Sequence, residues 1–152
     1  MTHLKVGDIA PEFSASNHED NTISLSALKG QRIILYFYPK DNTSGCTNQA
    51  CDLRDSYEEL LGFGLQVIGV SPDGVKSHAS FRAKHNLPFE LIADTNREVA
   101  RAYGVYGEKK MYGKTSMGIH RTTFIIGVDG RIEAIIPKVN TKEHAAQIKE
   151  VI

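Results

Sequence analysis

The chain has 152 residues, and its 18 Lys and Arg residues balance its 18 Asp and Glu residues. This length fits one domain with a full apolar core, and we expect residues 1–152 to form a single domain. The charge balance gives no support for binding to nucleic acid or to an anionic membrane, because such domains usually carry a basic excess.

Neither the start of the chain nor its apolar runs suggest a membrane or secretory protein. The N-terminus lacks the apolar core of a secretory signal, and residues 33–38, the longest apolar run, are far shorter than the roughly 20 residues of a membrane helix. We therefore expect a soluble, cytoplasmic protein. Two cysteines do not make a disulfide scaffold, and in a reducing compartment cysteines are more often catalytic, metal-binding or inert.

Strand-type and helix-type segments alternate along the chain. Runs of β-branched and aromatic residues predict strands at residues 32–38, 65–70, 91–93, 122–126 and 131–136. Helical patterns lie at residues 46–61, 74–85, 97–103 and 141–151. Thr141 is the expected N-cap of the last helix. An Asp-Gly pair at 129–130 predicts a hairpin between the last two strands, and the glycine-rich, polar residues 104–118 predict a long surface loop.

This order of elements predicts an α/β fold, with a central mixed β-sheet and helices on both faces. Helical crossovers make neighbouring strands parallel, and the late hairpin adds an antiparallel pair. The thioredoxin-like arrangement is one fold of this kind.

The segment after the first predicted strand carries most of the functional information. Pro39 ends the strand because proline has no N–H to donate, residues 41–45 favour a turn, and a helix begins at or just before Cys46. The first turn of a helix has unpaired N–H groups and a partial positive charge, and both favour a thiolate. Cys46 is therefore a candidate nucleophile, although a small buried core residue is the plainer alternative.

The helical wheel separates the two cysteines. Cys46 shares one stripe with Ala50, Leu53, Tyr57, Leu60 and Leu61. Cys46 is thus expected to face inward, whereas Cys51 is rotated by about 140° and should lie nearer solvent. Residues five apart on an ideal helix have Cα atoms roughly 8.7 Å apart, and disulfides rarely form beyond roughly 7 Å. If the cysteines ever bond, the first turns of the helix must unwind. An inert role for Cys51 stays open at this point.

A zinc site is a weak alternative. The Cys-x4-Cys pair has no second pair, and His78, His85 and His120 show no recognisable ligand spacing. Thiol chemistry at Cys46 requires no metal and no organic cofactor.

The same residues resemble the active site of a known family. Pro39-x3-Thr43-x2-Cys46 is similar to the peroxiredoxin motif, and YPKDNTSGCTNQACDLRD, residues 38–55, resembles the bacterioferritin comigratory protein or Q-type group. Further similar segments lie at residues 7–13, 67–71, 87–89 and 121–126. The resemblance implies a thioredoxin fold with an N-terminal extension, and reduction of hydrogen peroxide and organic hydroperoxides with electrons from thioredoxin. It implies a monomer, with dimers among some relatives.

The resemblance also implies a role for each motif residue. Cys46 matches the peroxidatic cysteine and Cys51 the resolving cysteine, so that a Cys46 sulfenic acid becomes an intrachain disulfide. Thr43 matches the threonine that hydrogen-bonds the thiolate and the peroxide. Pro39 matches the proline that shields the pocket, and Arg121 the arginine that stabilises both thiolate and peroxide.

Alternatives remain for these residues and for the function. Arg121 could form a surface salt bridge, and Thr43 could serve as an N-cap or turn residue. Ser44 stands where many relatives have a second proline, and Gln49 where many have glutamate. One rival function is a thioredoxin-type oxidoreductase, whose motif needs Cys-x2-Cys. Another is a redox-sensing or chaperone-like binding protein.

Overall fold

A mixed sheet of five strands forms the centre of the computed structural model, which describes residues 2–152 and only the backbone of Met111. The strands of the described chain are β1 (Ser14–Ser16), β2 (Thr22–Ser24), β3 (Arg32–Phe37), β4 (Leu65–Ser71), β5 (Glu90–Ala93), β6 (Tyr106–Met111), β7 (Lys114–Ile119), β8 (Thr122–Ile126) and β9 (Ile132–Ile136). Its α-helices are α1 (Ser44–Asp55), α2 (Tyr57–Gly62), α3 (Val75–His85), α4 (Glu98–Ala102) and α5 (His144–Val151). Within residues 2–152, none of these helices combines the length and the apolar character that crossing a bilayer requires.

The central sheet has the strand order β5-β4-β3-β8-β9. β3, β4 and β5 run parallel, and β8 lies antiparallel to both β3 and β9. The five strands predicted from β-branched and aromatic runs are all present, and the hairpin at Asp129-Gly130 is confirmed. The predicted mixed sheet is therefore correct.

Two apolar layers cover the sheet, one on each face. Along β3, residues 33, 35 and 37 enter one buried cluster, and residues 34, 36 and 38 enter the other. Side chains of α1, α2, α3 and α5 complete the even-numbered cluster. Those of α4 and of the N-terminal segment around Phe13 complete the odd-numbered one. Helices on both faces are thus confirmed, and α1 is held against the sheet by its apolar stripe.

Two predicted helix boundaries are wrong. The helix expected over residues 46–61 is interrupted at Ser56, whose φ of −106° and ψ of 7° leave the helical region. The break moves Leu61 off the apolar stripe, and this side chain is 42% exposed. The last helix starts at His144 with Glu143, not Thr141, at the N-cap. Asn140 explains the late start, because its backbone carbonyl and side chain bind the N–H groups of residues 143 and 142 in a turn.

The predicted surface loop at residues 104–118 is also wrong. β6 and β7 pair there as an antiparallel hairpin. Tyr112 and Gly113 form its turn with φ values of 53° and 77°, and positive φ at both central residues is what a two-residue hairpin turn requires. Polar and glycine-rich composition concealed these strands, because most of the β7 side chains lie in solvent and lack apolar alternation.

Candidate active site

The loop between β3 and α1 places Cys46 in the first turn of a helix. β3 pairs with β4 as far as Phe37, and the Tyr38 N–H donates one more bond to the carbonyl of Val70. The chain then turns through Asn42, whose φ is 64°, and α1 begins at Ser44. Cys46 is only 1% exposed, so its predicted inward orientation is confirmed. Free N–H groups and the helix dipole at this position favour an anion.

Arg121 brings a second positive group to the sulfur. This residue lies in the short connection between β7 and β8, and its Nη2 donates to Cys46 Sγ over 3.3 Å. Its Nη1 donates to Gln49 Oε1 over 2.7 Å. A cationic donor at such a distance stabilises a thiolate more than a neutral thiol. Within residues 2–152 Arg121 makes no salt bridge with a carboxylate, so the surface ion pair considered as its alternative role is absent from this part of the chain.

Gly45, which the sequence assigned only to a turn, and Lys109, which sequence reasoning missed, shape the surroundings of Arg121. A Cβ atom added at Gly45 would lie 3.3 Å from Arg121 Nη2, so the absence of a side chain makes room for the guanidinium. Lys109 comes from the β6–β7 hairpin. Burial lowers the pKa of the Lys109 ammonium, the charge of Arg121 lowers it further, and Cys46 opposes this shift. The hairpin thus contributes a second cation to the neighbourhood of Cys46.

Thr43 and Pro39 lie in the loop that precedes Cys46. Among residues 2–152, the Thr43 side chain makes no hydrogen bond to the Cys46 sulfur. Thr43 is the N-cap of α1 by position, and its backbone carbonyl accepts from the N–H of Thr47 over 2.9 Å. Its hydroxyl donates to the carbonyl of Lys40 over 2.9 Å and makes no capping bond in the part of the chain described. Pro39 is partly buried. The fold therefore brings Cys46 and Arg121 into contact, whereas the Thr43 hydroxyl bonds to the carbonyl of Lys40.

A buried polar network anchors this loop from behind. Asp41 accepts hydrogen bonds from Tyr38 (2.7 Å) and Ser77 (2.8 Å), and its carboxylate lies 2.7 Å from His78 Nδ1. The other ring nitrogen of His78 lies 2.9 Å from the carbonyl of Ile92. Both nitrogens of the buried ring therefore lie at hydrogen-bonding distance from oxygen atoms of the protein. Burial raises the pKa of Asp41, but hydrogen bonds with His78, Tyr38 and Ser77 and the charge interaction with His78 outweigh burial and hold this pKa below its ordinary value.

Asp73 extends the network and completes a set of metal-binding residue types. Its Oδ2 accepts from the backbone N–H of Asp41 over 2.7 Å and from the hydroxyl of Ser71 over 2.6 Å. The possible ligand atoms of Asp41, Asp73 and His78 lie within 4.8 Å of one another. Protein hydrogen bonds already use these atoms, so the network acts as an anchor for the loop before Cys46.

Cys51 lies farther along α1, in a half-buried position between α1 and α3. Its Sγ is 3.8 Å from His85 Nδ1. Both cysteines are free thiols, and α1 runs without interruption from Ser44 to Asp55 through both of them. The separation expected from helix geometry therefore applies to this conformation. Nothing in the sequence pointed to His85, because the contact joins residues 34 positions apart.

A thioredoxin-like sheet with a buried cysteine beside a cationic donor defines a cysteine-dependent oxidoreductase. Residues 6–135 match the AhpC/TSA family. The chain is 43% identical to Peroxiredoxin Bcp of Bacillus subtilis over 149 residues, covering 98% of this chain and 95% of that one. It is 44% identical to Peroxiredoxin Bcp of Escherichia coli over 144 residues, covering 95% and 92%.

Solved structures agree with these sequence relationships. Peroxiredoxin Q of Xanthomonas campestris superposes with a TM-score of 0.87 at 35% identity, covering 97% of this chain and 93% of that one. A cysteine-to-serine mutant of Xylella fastidiosa PrxQ gives a TM-score of 0.90 at 32% identity, covering 99% and 96%. The chain therefore belongs to the peroxiredoxin family, in its Bcp or Q-type group, and is a thiol-dependent peroxidase with a thioredoxin fold.

Proposed function

We propose that the chain reduces hydrogen peroxide and organic hydroperoxides by a two-cysteine cycle, with Cys46 as the peroxidatic and Cys51 as the resolving residue. The observation that carries the proposal is the 3.3 Å contact between Arg121 Nη2 and the sulfur of Cys46, at the buried start of α1. This contact joins a helix start and a strand connection 75 residues apart. It supplies the positive environment that a thiolate nucleophile needs.

In the first step the Cys46 thiolate attacks one peroxide oxygen. The O–O bond breaks, the attacked oxygen and its hydrogen join the sulfur as a sulfenic acid, and the other oxygen leaves as alkoxide or hydroxide, which takes a proton from solvent to become an alcohol or water. Arg121 stabilises the charge that moves from sulfur to oxygen. Thr43 positions the peroxide once its hydroxyl rotates away from Lys40, and Pro39 limits the access of water. A structure of the Xanthomonas campestris relative is described in terms of alkyl peroxide reduction, which supports organic hydroperoxides as substrates.

In the second step Cys51 attacks the sulfenic sulfur, and an intrachain disulfide forms with release of water. Five residues of intact helix hold the two Cα atoms roughly 8.7 Å apart, which exceeds the roughly 7 Å limit for a disulfide. The first turns of α1 must therefore open, and Cys46 must leave its contact with Arg121. A dithiol of the thioredoxin type then reduces the disulfide by exchange.

Cysteine variants test the cycle in a coupled assay that contains thioredoxin, its reductase and hydrogen peroxide. Cys46→Ser should abolish peroxide consumption, because it removes the nucleophile. Cys51→Ser should consume one equivalent of peroxide and then stop under thioredoxin, with a sulfenic acid and no disulfide detected by mass spectrometry. Near-normal turnover by Cys46→Ser would refute the proposal.

The same assay separates the rival functions. A thioredoxin-type oxidoreductase would reduce insulin strongly without consuming peroxide. A redox sensor would give one stoichiometric burst in the wild-type protein and no steady turnover. Sustained turnover by the wild type, lost in both single variants, is the expected result.

A further inference from the structure

We propose that His85 is the general base that removes the thiol proton of Cys51 in the resolving step. This inference rests on the proposed function, because it assigns a partner to the residue that the cycle makes the second nucleophile. It adds a catalytic residue on α3, outside the loop and strand that surround Cys46.

The contact between α1 and α3 positions the imidazole ring at the sulfur. His85 Nδ1 lies 3.8 Å from Cys51 Sγ, within the longer reach of hydrogen bonds to sulfur. Arg54, one helical turn beyond Cys51, donates from Nη1 to the backbone carbonyl of His85 over 2.8 Å. The ring of Phe81 meets the His85 ring edge to face, with centroids 5.2 Å apart. These contacts hold the backbone and the ring of His85 beside the thiol.

The surroundings keep the ring in the form that accepts a proton. Burial lowers the pKa of His85, and the positive charges of Lys84 on its own helix and of Arg54 on α1 lower it further. The Arg54 guanidinium is itself paired with Asp55 over 3.0 Å. The ring is therefore neutral at pH 7, since an ordinary histidine has a pKa of about 6.5. A hydrogen on Nε2 leaves the Nδ1 lone pair directed at Cys51.

The step balances in protons and electrons. His85 takes the proton of the Cys51 thiol, and the resulting thiolate attacks the sulfenic sulfur of Cys46. The new S–S bond replaces the S–O bond, so Cys51 is oxidised and Cys46 is reduced by the same amount. The departing hydroxide takes the proton back from the imidazolium and leaves as water, which returns His85 to its neutral form.

The fraction of Cys51 that is already thiolate without a base limits how much His85 can speed the attack on the sulfenic acid. A free cysteine with a pKa of about 8.5 is roughly 3% thiolate at pH 7. Complete deprotonation can therefore speed the attack by at most about thirtyfold, and by less where lower basicity reduces nucleophilicity. Removing the base should slow disulfide formation by about tenfold at pH 7.

The test is His85→Asn, which retains an acceptor near the Nδ1 position but has no basic nitrogen. Reduced protein is mixed with one equivalent of hydrogen peroxide, and sulfenic acid and disulfide are followed separately between pH 6 and 9.5. His3→Asn, in the exposed N-terminal segment, is the matched histidine control. Formation of the sulfenic acid in the same traces shows whether the peroxidatic site is intact.

The expected result is slow disulfide formation by His85→Asn at pH 7, with a deficit that shrinks towards pH 9.5 as the free thiol ionises unaided. His3→Asn should follow the wild type. Equal rates at pH 7, or a deficit that is the same at every pH, would overturn the role of His85. A wild-type protein that forms sulfenic acid but no Cys46–Cys51 disulfide would instead overturn the proposed cycle, so the two failures are distinguishable.

Discussion

Gln49 offers a sharp test of how Arg121 is held beside the sulfur. Its side chain is fully buried, and Oε1 accepts from Arg121 over 2.7 Å. Among the described residues its Nε2 has no hydrogen-bond partner. Gln49→Leu keeps a similar volume and removes both the acceptor for Arg121 and the unpaired donor. Loss of the acceptor should slow the oxidation of Cys46, whereas the free energy of unfolding should change little because loss of the unpaired donor offsets loss of the hydrogen bond.

The structure sets the expected magnitudes. A hydrogen bond to a charged group contributes about 1.5–3 kcal/mol, and an unpaired buried polar group costs about 1–3 kcal/mol. These terms nearly cancel in the free energy of unfolding, which should change by less than about 1.5 kcal/mol. Removal of the unpaired donor does not restore the position of the Arg121 guanidinium beside the sulfur. Oxidation of Cys46 should therefore slow by about ten- to a hundredfold, at about 1.4 kcal/mol per factor of ten.

The assay is a single mixing of reduced protein with hydrogen peroxide, which yields the second-order rate constant for oxidation of Cys46. Urea unfolding of the same samples measures stability. Gln49→Glu is the matched control, because its carboxylate still accepts from Arg121 while sharing the positive charge. Its rate should fall between those of the wild type and Gln49→Leu. A wild-type rate for Gln49→Leu would refute the view that Gln49 holds Arg121 in place.

Two further predictions concern the loop and the helix start. Because the pKa of Asp41 is lower in the folded protein than in the unfolded chain, its stabilising contribution is complete above the unfolded pKa and is lost as the pH falls through the folded pKa. Asp41→Asn should lower the free energy of unfolding at pH 7 by about 3–5 kcal/mol, since it breaks a buried pair. It should also weaken the pH dependence below pH 4, and urea titrations with the wild-type slope there would contradict this. Gly45→Ala adds a Cβ 3.3 Å from Arg121 Nη2, so Cys46 oxidation should slow several-fold although alanine favours the helix by about 1 kcal/mol. An unchanged peroxide rate constant would contradict that steric argument.

Local patterns were sufficient to predict the sheet and the position of Cys46. β3 and β8 are runs of mostly β-branched, aliphatic and aromatic residues, nearly all of them buried, and such runs identify strands without knowledge of their partners. The turn after Pro39 likewise identified a helix start, and the apolar stripe set the orientation of Cys46. These features depend on residues that are neighbours in the chain.

Contacts between distant segments were beyond this reasoning. Arg121 reaches Cys46 because β3 and β8 pair in a particular antiparallel register. The sequence of one strand alone does not determine that register. The resemblance implied the role of Arg121 at the sulfur but not the strand pairing that brings it there. The contact between Cys51 and His85 depends on how α1 and α3 pack, and the β6–β7 hairpin depends on pairing between two polar strands. The Cys51–His85 contact was missed because its two residues lie far apart in the chain, and the hairpin was missed because its polar strands lack apolar alternation.

The contact between Arg121 and Cys46 has a consequence for the direction of the proposed conformational change. In the proposed cycle, the guanidinium and the Cys46 thiolate offset each other's charge before oxidation, at the 3.3 Å contact between Arg121 Nη2 and the sulfur. The sulfenic acid has no such negative charge, whereas Arg121 keeps its positive one. A partly buried charge that loses an ionic partner is less favourable, and access of water to the site relieves this cost. The reaction with peroxide therefore removes a reason for α1 to stay closed, so the closed helix is favoured while the sulfur is ready to react and the open helix once it has reacted.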